Sequence, residues 1–178
     1  RMFRYRLRTL LQFRLATLFL VITLVGVWLG VQVNSANRQK QAIAAIEAAR
    51  GITQFDYQRD ATGQRIPNAE PPGPKWLRKL IGDDYFRKVV GVGFGTGFYL
   101  DQRATWKSKI NDEGLRVFQS LPDVESIDLS HNLDITDQGL VHLRNLKHLH
   151  TLSLYDCNLT GAGLPHLAKL PKLIRPSL

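Results

Sequence analysis

The chain contains one cysteine in 178 residues. That excludes an intramolecular disulfide framework, and with no Cys-x-x-Cys it also excludes the usual cysteine zinc sites. Acids are missing from one end. Residues 1–40 hold no Asp or Glu but carry Arg1, Arg4, Arg6, Arg8, Arg14, Arg38 and Lys40, a charge of +7. The whole chain has 24 Lys+Arg against 15 Asp+Glu, so residues 41–178 hold 17 bases and 15 acids, or +2 of the total +9. A basic excess ordinarily points to polyanionic partners. An excess confined to one end argues against nucleic acid as partner of the whole chain.

Charge of either sign is also missing between Arg14 and Arg38. From Leu15 to Val33 the chain reads LATLFLVITLVGVWLGVQV. At about 1.5 Å per residue, a helix of this length spans ~28 Å, close to a bilayer core of about 30 Å. Twelve of these residues are Leu, Ile, Phe or Val, each favouring insertion by roughly 0.3–0.6 kcal/mol. A soluble core helix is seldom apolar all round for so many turns. The pattern predicts a basic tail over 1–14 and a transmembrane helix over 15–37, with membrane lipid as a partner. Five Arg precede the span, while Arg38, Lys40, Glu47 and Arg50 net +2 beyond it. The positive-inside rule then puts the N-terminus in the cytoplasm and the remainder outside. In a bacterium this is a single-pass inner (cytoplasmic) membrane protein with a periplasmic C-terminal part. The competing reading is a cleaved signal peptide, whose apolar core is typically about 7–15 residues; Val33-x-Ser35 would be its cleavage site. Gly26 and Gly30 form Gly-x-x-x-Gly, a candidate helix-dimer seam through which two copies could pair.

Beyond the span, Ala42, Ile43, Ala45, Ile46 and Ala49 recur at helical spacing and end near Gly51. A juxtamembrane helix and a short strand at Ile52–Tyr57 are expected over 38–59. Gly63, Pro67, Pro71, Pro72, Gly73 and Pro74 mark a linker over 60–74. Trp76, Leu77, Leu80 and Ile81 restart a helix after Pro74. They open a segment, 75–109, expected to act as an N-terminal cap and diverged first repeat.

Self-similarity dominates residues 110–178. Gly114-Leu115, Gly139-Leu140 and Gly163-Leu164 recur at spacings of 25 and 24. Leu121, Leu146 and Leu170 follow the same spacings, as do Val124, Leu149 and Leu173. Ile127 matches Leu152, Leu129 matches Leu154, and Asn132 matches Cys157. Val89, Val92 and Phe94 fit the strand part of an earlier copy, with an insertion at 98–109, and Pro176 takes the Ile127/Leu152 place in a partial last copy. Leu-x-Leu sets two apolar groups on one face of a strand, and Gly-Leu-x-x-Leu-x-x-Leu sets a row on one helix face. Neither face can be buried within one copy, so stacked copies share a core.

This unit resembles a leucine-rich repeat of the 24–26-residue kind whose fixed position takes Cys or Asn. The resemblance implies an α/β fold: a short solenoid of parallel strands with outer helices, here behind an N-terminal transmembrane helix. Leu-Arg-Thr-Leu-Leu (7–11), Val-Trp-Leu-Gly (27–30), Pro-Pro-Gly-Pro-x-Trp-Leu-Arg (71–78) and Gly-Asp-Asp-Tyr-Phe (82–86) add to it. The whole arrangement is similar to membrane-anchored leucine-rich repeat proteins that some environmental bacteria encode in many copies. That similarity implies an architecture and no reaction.

Signals for chemistry are weak. Gly91, Gly93, Gly95 and Gly97 fail Gly-x-Gly-x-x-Gly in every register, since Thr96 or Phe98 takes the third glycine place. His148 and His150 flank Leu149 without a third ligand at suitable spacing, and His142 and His166 occupy matching places that read as a solvated column. Nothing resembles a nucleophile elbow. The sequence therefore reads as a non-enzyme with no cofactor and no metal.

Exposed strand positions are the usual binding surface of a solenoid. Here these are Ser126, Asp128 and Ser130, then Thr151, Ser153 and Tyr155, a candidate contact for a protein or peptide ligand. The expectation is a membrane-anchored interaction protein. The alternatives are an N-terminal fragment of a larger repeat receptor or enzyme, and a nucleic-acid binder using the Arg-rich tail.

Overall fold

The structure is a computed structural model that describes residues 2–60, 62, 64, 66–94, 108–173 and 175–177. It is mixed α/β, as expected, and divides into two compact units, residues 1–36 and 37–178.

The first unit is helical throughout its described residues and lies within helix α1, Met2–Ala48. The stretch from Leu15 to Val33 buries none of its side chains. It is the one helix among the described residues long and apolar enough to cross a membrane. Side chains without a charge can sit in such a helix because every backbone group is bonded internally. The hydroxyl of Thr23 follows suit, donating to the Phe19 carbonyl at 2.8 Å. A Cβ added at Gly26 or Gly30 would meet nothing within 4 Å, so neither glycine is required by packing within the chain.

The second unit begins with the last turns of α1, which bury Ala42, Ile43 and Ile46. Helix α1 continues past Asn37 to Ala48, as the helical spacing of Ala42, Ile43, Ala45 and Ile46 predicts. The helix ends as a double-bonded C-terminal turn, with Gly51 N–H donating to the Ile46 carbonyl (2.7 Å) and Arg50 N–H to that of Glu47 (2.9 Å). The residue in the left-handed region is Arg50, φ 62°, not the glycine. Gly51 is needed for another reason: a Cβ there would strike the Phe94 ring and Ile46.

Strand β1, Ile52–Phe55, pairs antiparallel with β2, Val89–Gly93. Three further strands follow in parallel: β3, Ser126–Asp128; β4, Thr151–Ser153; and β5, Arg175–Ser177. The sheet order is the chain order. Val92, Ile127, Leu152 and Pro176 lie in one row across it. A strand thus forms at Val89–Gly93, within the stretch where one was expected, and Pro176 lies in register with Ile127 and Leu152. The expected insertion at 98–109 falls largely outside the described residues.

Behind the strands the apolar spacing closes one core. Leu115, Phe118, Leu121, Val124, Leu140, Leu143, Leu146 and Leu149 are all buried in it. Their segments are mostly not α-helices. Glu113–Ser120 and Gly139–Leu143 are 3-10 helices, and only Leu164–Leu167 forms an α-helical turn, α3. At about 2.0 Å per residue a 3-10 helix covers the layer with fewer residues. That suits a 24- or 25-residue spacing.

Helix α2, Lys75–Ile81, starts after Pro74 and stops at Gly82, whose φ of 95° favours glycine. It does not cap the core, contrary to expectation: Trp76, Leu80 and Ile81 are exposed. Closure at that end comes from β1 and the α1 turns, through Phe55, Ile43 and Ile46.

Candidate functional site

Side chains alternate across a strand. With Ile127 and Leu152 facing the core, the flanking rows Gly91–Ser126–Thr151 and Gly93–Asp128–Ser153 share the opposite face. The strands therefore bring the six expected residues together as two short rows with Ser130 and Tyr155 at their ends.

Their exposure corrects the expectation for one strand. Ser126, Asp128 and Ser130 retain only 9%, 9% and 7% of their surface. Each is short, and Ser126 and Asp128 have a neighbouring strand on both sides. Asp128 Oδ1 accepts the Ser130 N–H at 3.0 Å, and the Ser130 and Ser153 hydroxyls lie 2.7 Å apart. Buried polar groups with internal partners hold the strand ends in register and offer little to a ligand. Thr151 and Tyr155 are exposed, Tyr155 at 59%, and Ser153 is half-buried.

The exposed cluster lies where the strands end. His131 and Asp156 occupy matching places, 25 residues apart, and both are left-handed, with φ of 63° and 56°. His131 N–H donates to the Tyr155 carbonyl at 2.8 Å, carrying the ladder three residues beyond β3. The His131 ring then meets Asp156 Oδ2 at 3.1 Å and stands edge-on to Tyr155, with centroids 5.3 Å apart. Tyr155, His131 and Asp156 thus make one exposed patch holding an aromatic face, a carboxylate and an imidazole. At the other strand ends His150 faces Glu125 at 3.6 Å and the Thr151 hydroxyl at 3.1 Å.

Just inside the patch sit the fixed Asn and Cys positions. Asn132 Nδ2 donates to the carbonyls of Leu129 (2.7 Å) and Ser130 (2.9 Å). Cys157 Sγ donates back to the same Leu129 carbonyl at 3.2 Å. Burial pushes the Cys157 thiol above its ordinary value, and the nearby Asp156 and Asp128 charges add to this, opposed by the hydrogen bond that links it to Asn132. A thiol held protonated is a poor nucleophile.

Two links between successive segments escape notice in the sequence. Asp112 accepts the Thr136 N–H (2.8 Å) and hydroxyl (2.6 Å). Asp137 accepts the Thr160 N–H (2.9 Å), the Thr160 hydroxyl (2.8 Å) and the Gly163 N–H (2.7 Å). These bonds, those from Thr160 first, hold the Asp137 carboxyl below the usual carboxylate range. The glycines allow the approach. A Cβ at Gly163 would lie 2.8 Å from the Asp137 carbonyl oxygen, and one at Gly139 would strike the Asp112 carboxylate. The available signal was Asn-Asp-Glu-Gly (111–114) beside Thr-Asp-Gln-Gly (136–139), which puts Asp one place after the residue that the preceding Asp holds.

Among the described residues no three His, Cys, Asp or Glu are grouped to hold a metal. His148 and His150 engage different neighbours, His148 lying 3.5 Å from Lys172 Nζ and His150 meeting Glu125. His142 meets Gln119 of the preceding segment at 3.2 Å. No protein-family model matches the chain, and no curated protein matches it significantly.

Proposed function

We propose that the protein is a membrane-anchored leucine-rich repeat protein without enzymatic activity that presents a protein- or peptide-binding surface outside the cytoplasm. One observation carries the binding role: the exposed Tyr155–His131–Asp156 patch, set by two left-handed turns at the ends of in-register parallel strands. Tyr is favoured in interface centres because it buries a large face at low entropic cost and keeps a polar tip. Asp156 and His131 beside it supply charge and hydrogen-bonding for selectivity. The solenoid reading is supported by the 24- and 25-residue spacing of strands that pair in parallel and by the leucine rows behind them.

The anchor is the apolar stretch of α1, and the bias of Arg toward residues 1–14 sets its orientation with the C-terminal unit in the bacterial periplasm. Gly26 and Gly30 supply a seam for pairing two copies in the bilayer.

The test uses the full chain in its native membrane, with a photo-crosslinking residue in place of Lys172 and the substitutions Tyr155→Ala and Asp156→Ala. A specific crosslinked partner is expected with the parent chain. Its recovery is expected to fall by about tenfold with Tyr155→Ala, the scale of a 1–2 kcal/mol contact. Equal recovery by both variants removes the patch as the binding surface.

A further inference from the structure

Helix α2 leaves an apolar face uncovered. Over Lys75–Ile81 the helical period places Trp76, Leu77, Leu80 and Ile81 on one arc and Lys75, Arg78 and Lys79 on the other. Trp76 is 68% and Leu80 74% exposed, and Tyr85 is exposed in the turn that follows. The helix is nevertheless held firmly from its polar side. Arg78 is largely buried and joins Glu70 at 3.1 Å and Asp83 at 3.5 Å. A helix of this length needs such ties, since isolated short helices are marginal in water.

Three observations name what covers that face. Trp beside Tyr is the side-chain pair enriched at membrane–water interfaces, where an apolar ring meets polar headgroups. Two of the helix's three bases are already paired, Lys75 with Glu70 at 3.2 Å and Arg78 with Glu70 and Asp83, while Lys79 has no ion-pair partner among the described residues. That charge complements anionic headgroups. Finally, the same chain carries a membrane-span candidate whose apolar run ends at Val33, 42 residues before Lys75. Tethering at that range makes lipid a neighbour at high effective concentration.

We propose that α2 is an interfacial lipid-binding element: Trp76, Leu80 and Ile81 enter the headgroup–acyl boundary of an anionic bilayer, with Lys79 on its phosphates. The proposal rests on the anchored reading given above. It adds a second, reversible membrane contact that responds to lipid charge.

Tryptophan fluorescence of the full chain in nanodiscs tests it. The chain has three Trp. Trp28→Phe with Trp106→Phe leaves Trp76 as the reporter, and Trp76→Phe with Trp106→Phe leaves Trp28 as a control for the span. Far-UV circular dichroism checks that each variant keeps its fold. In discs containing phosphatidylglycerol, Trp28 is expected to be quenched by lipids brominated deep in the acyl chain. Trp76 is expected to be quenched by lipids brominated near the headgroup and shielded several-fold from acrylamide. Leu80→Glu, or neutral lipid at high salt, reverses the Trp76 result. If Trp28 is quenched while Trp76 stays open to acrylamide, the α2 proposal falls and the anchor stands. If neither is quenched by lipid, the anchored reading falls with it. Shielding of Trp76 only in discs holding two chains assigns the face to a second copy and overturns the proposal. So does lipid quenching that Leu80→Glu leaves unchanged.

Discussion

Arg50 sits in the left-handed region with φ 62°, at the helix-end place where glycine is commonest. For a residue with a Cβ that conformation costs about 1 kcal/mol or more. Nothing in the turn requires a side chain there, because both closing bonds are made by backbone groups. Arg50→Gly is therefore expected to stabilise the C-terminal unit, by up to about 1 kcal/mol after allowing for glycine's larger unfolded-state entropy. The urea midpoint of the detergent-solubilised chain is the measurement, and an unchanged or lowered midpoint would show that the Arg50 side chain supplies compensating contacts. The neighbouring glycine behaves oppositely. Gly51 has no room for a Cβ beside Phe94 and Ile46, so position 51 tolerates no such exchange. The helix ends near Gly51 as the spacing predicts, but the left-handed residue is Arg50, and Gly51 serves by its lack of a Cβ. Conformation and space are separate demands, and only coordinates separate them.

The same distinction governs whole segments. The rows of Leu, Ile and Val were legible because burial repeats with a spacing of 24 or 25 residues within one core. The strand register and the Asn132 and Cys157 positions followed from it. What was not legible was how polar side chains use that spacing. Ser126, Asp128 and Ser130 alternate with core residues, and alternation alone reads as exposure, yet strands on both sides of Ser126 and Asp128 and the local hydrogen bonds of Ser130 leave them buried. Likewise Asp112 and Asp137 look like ordinary turn acids until each is seen holding the Thr of the next segment. The Asp137 link has a pH signature. Its carboxyl is depressed in the folded state below an unfolded value of about 3.9. A depressed carboxyl contributes stability that is present above the unfolded value and is lost as pH falls through the folded one. Asp137→Asn keeps one acceptor oxygen and removes the charge. The variant should be less stable than the parent at pH 7, and the gap should narrow progressively below about pH 4. Unfolding midpoints at pH 7 and pH 3 decide it, and a gap of equal size at both pH values would assign the effect to shape instead of charge.

At the scale of the whole molecule the charge pattern makes the strongest demand. The chain carries +9, yet residues 41–178 carry only +2. Within roughly 15–20 residues of the apolar stretch, the range over which basic groups set topology, five Arg lie ahead of it and three bases, Arg38, Lys40 and Arg50, lie beyond it. A margin of two bases is small, and acids count for little in this balance, so Glu47 barely widens it. The proposed orientation should therefore be reversible by modest changes. Replacing Arg4, Arg6 and Arg8 with Gln leaves two bases ahead and three beyond. A reporter fused after Leu178 reads the result: alkaline phosphatase matures only outside the cytoplasm, and a green fluorescent protein exported in the same way stays dark. The parent chain should give high phosphatase activity and little fluorescence. The triple variant should move a substantial fraction of molecules to the opposite behaviour, and adding Lys at positions 34 and 37 should complete the inversion. If the triple variant keeps the parent's ratio, the arginines do not set the topology, and the basic tail requires a different partner, with anionic lipid headgroups the first candidate by charge. If even the parent is fluorescent and lacks phosphatase activity, the C-terminal unit is cytoplasmic, and the binding surface at Tyr155 must be sought by partners on that side.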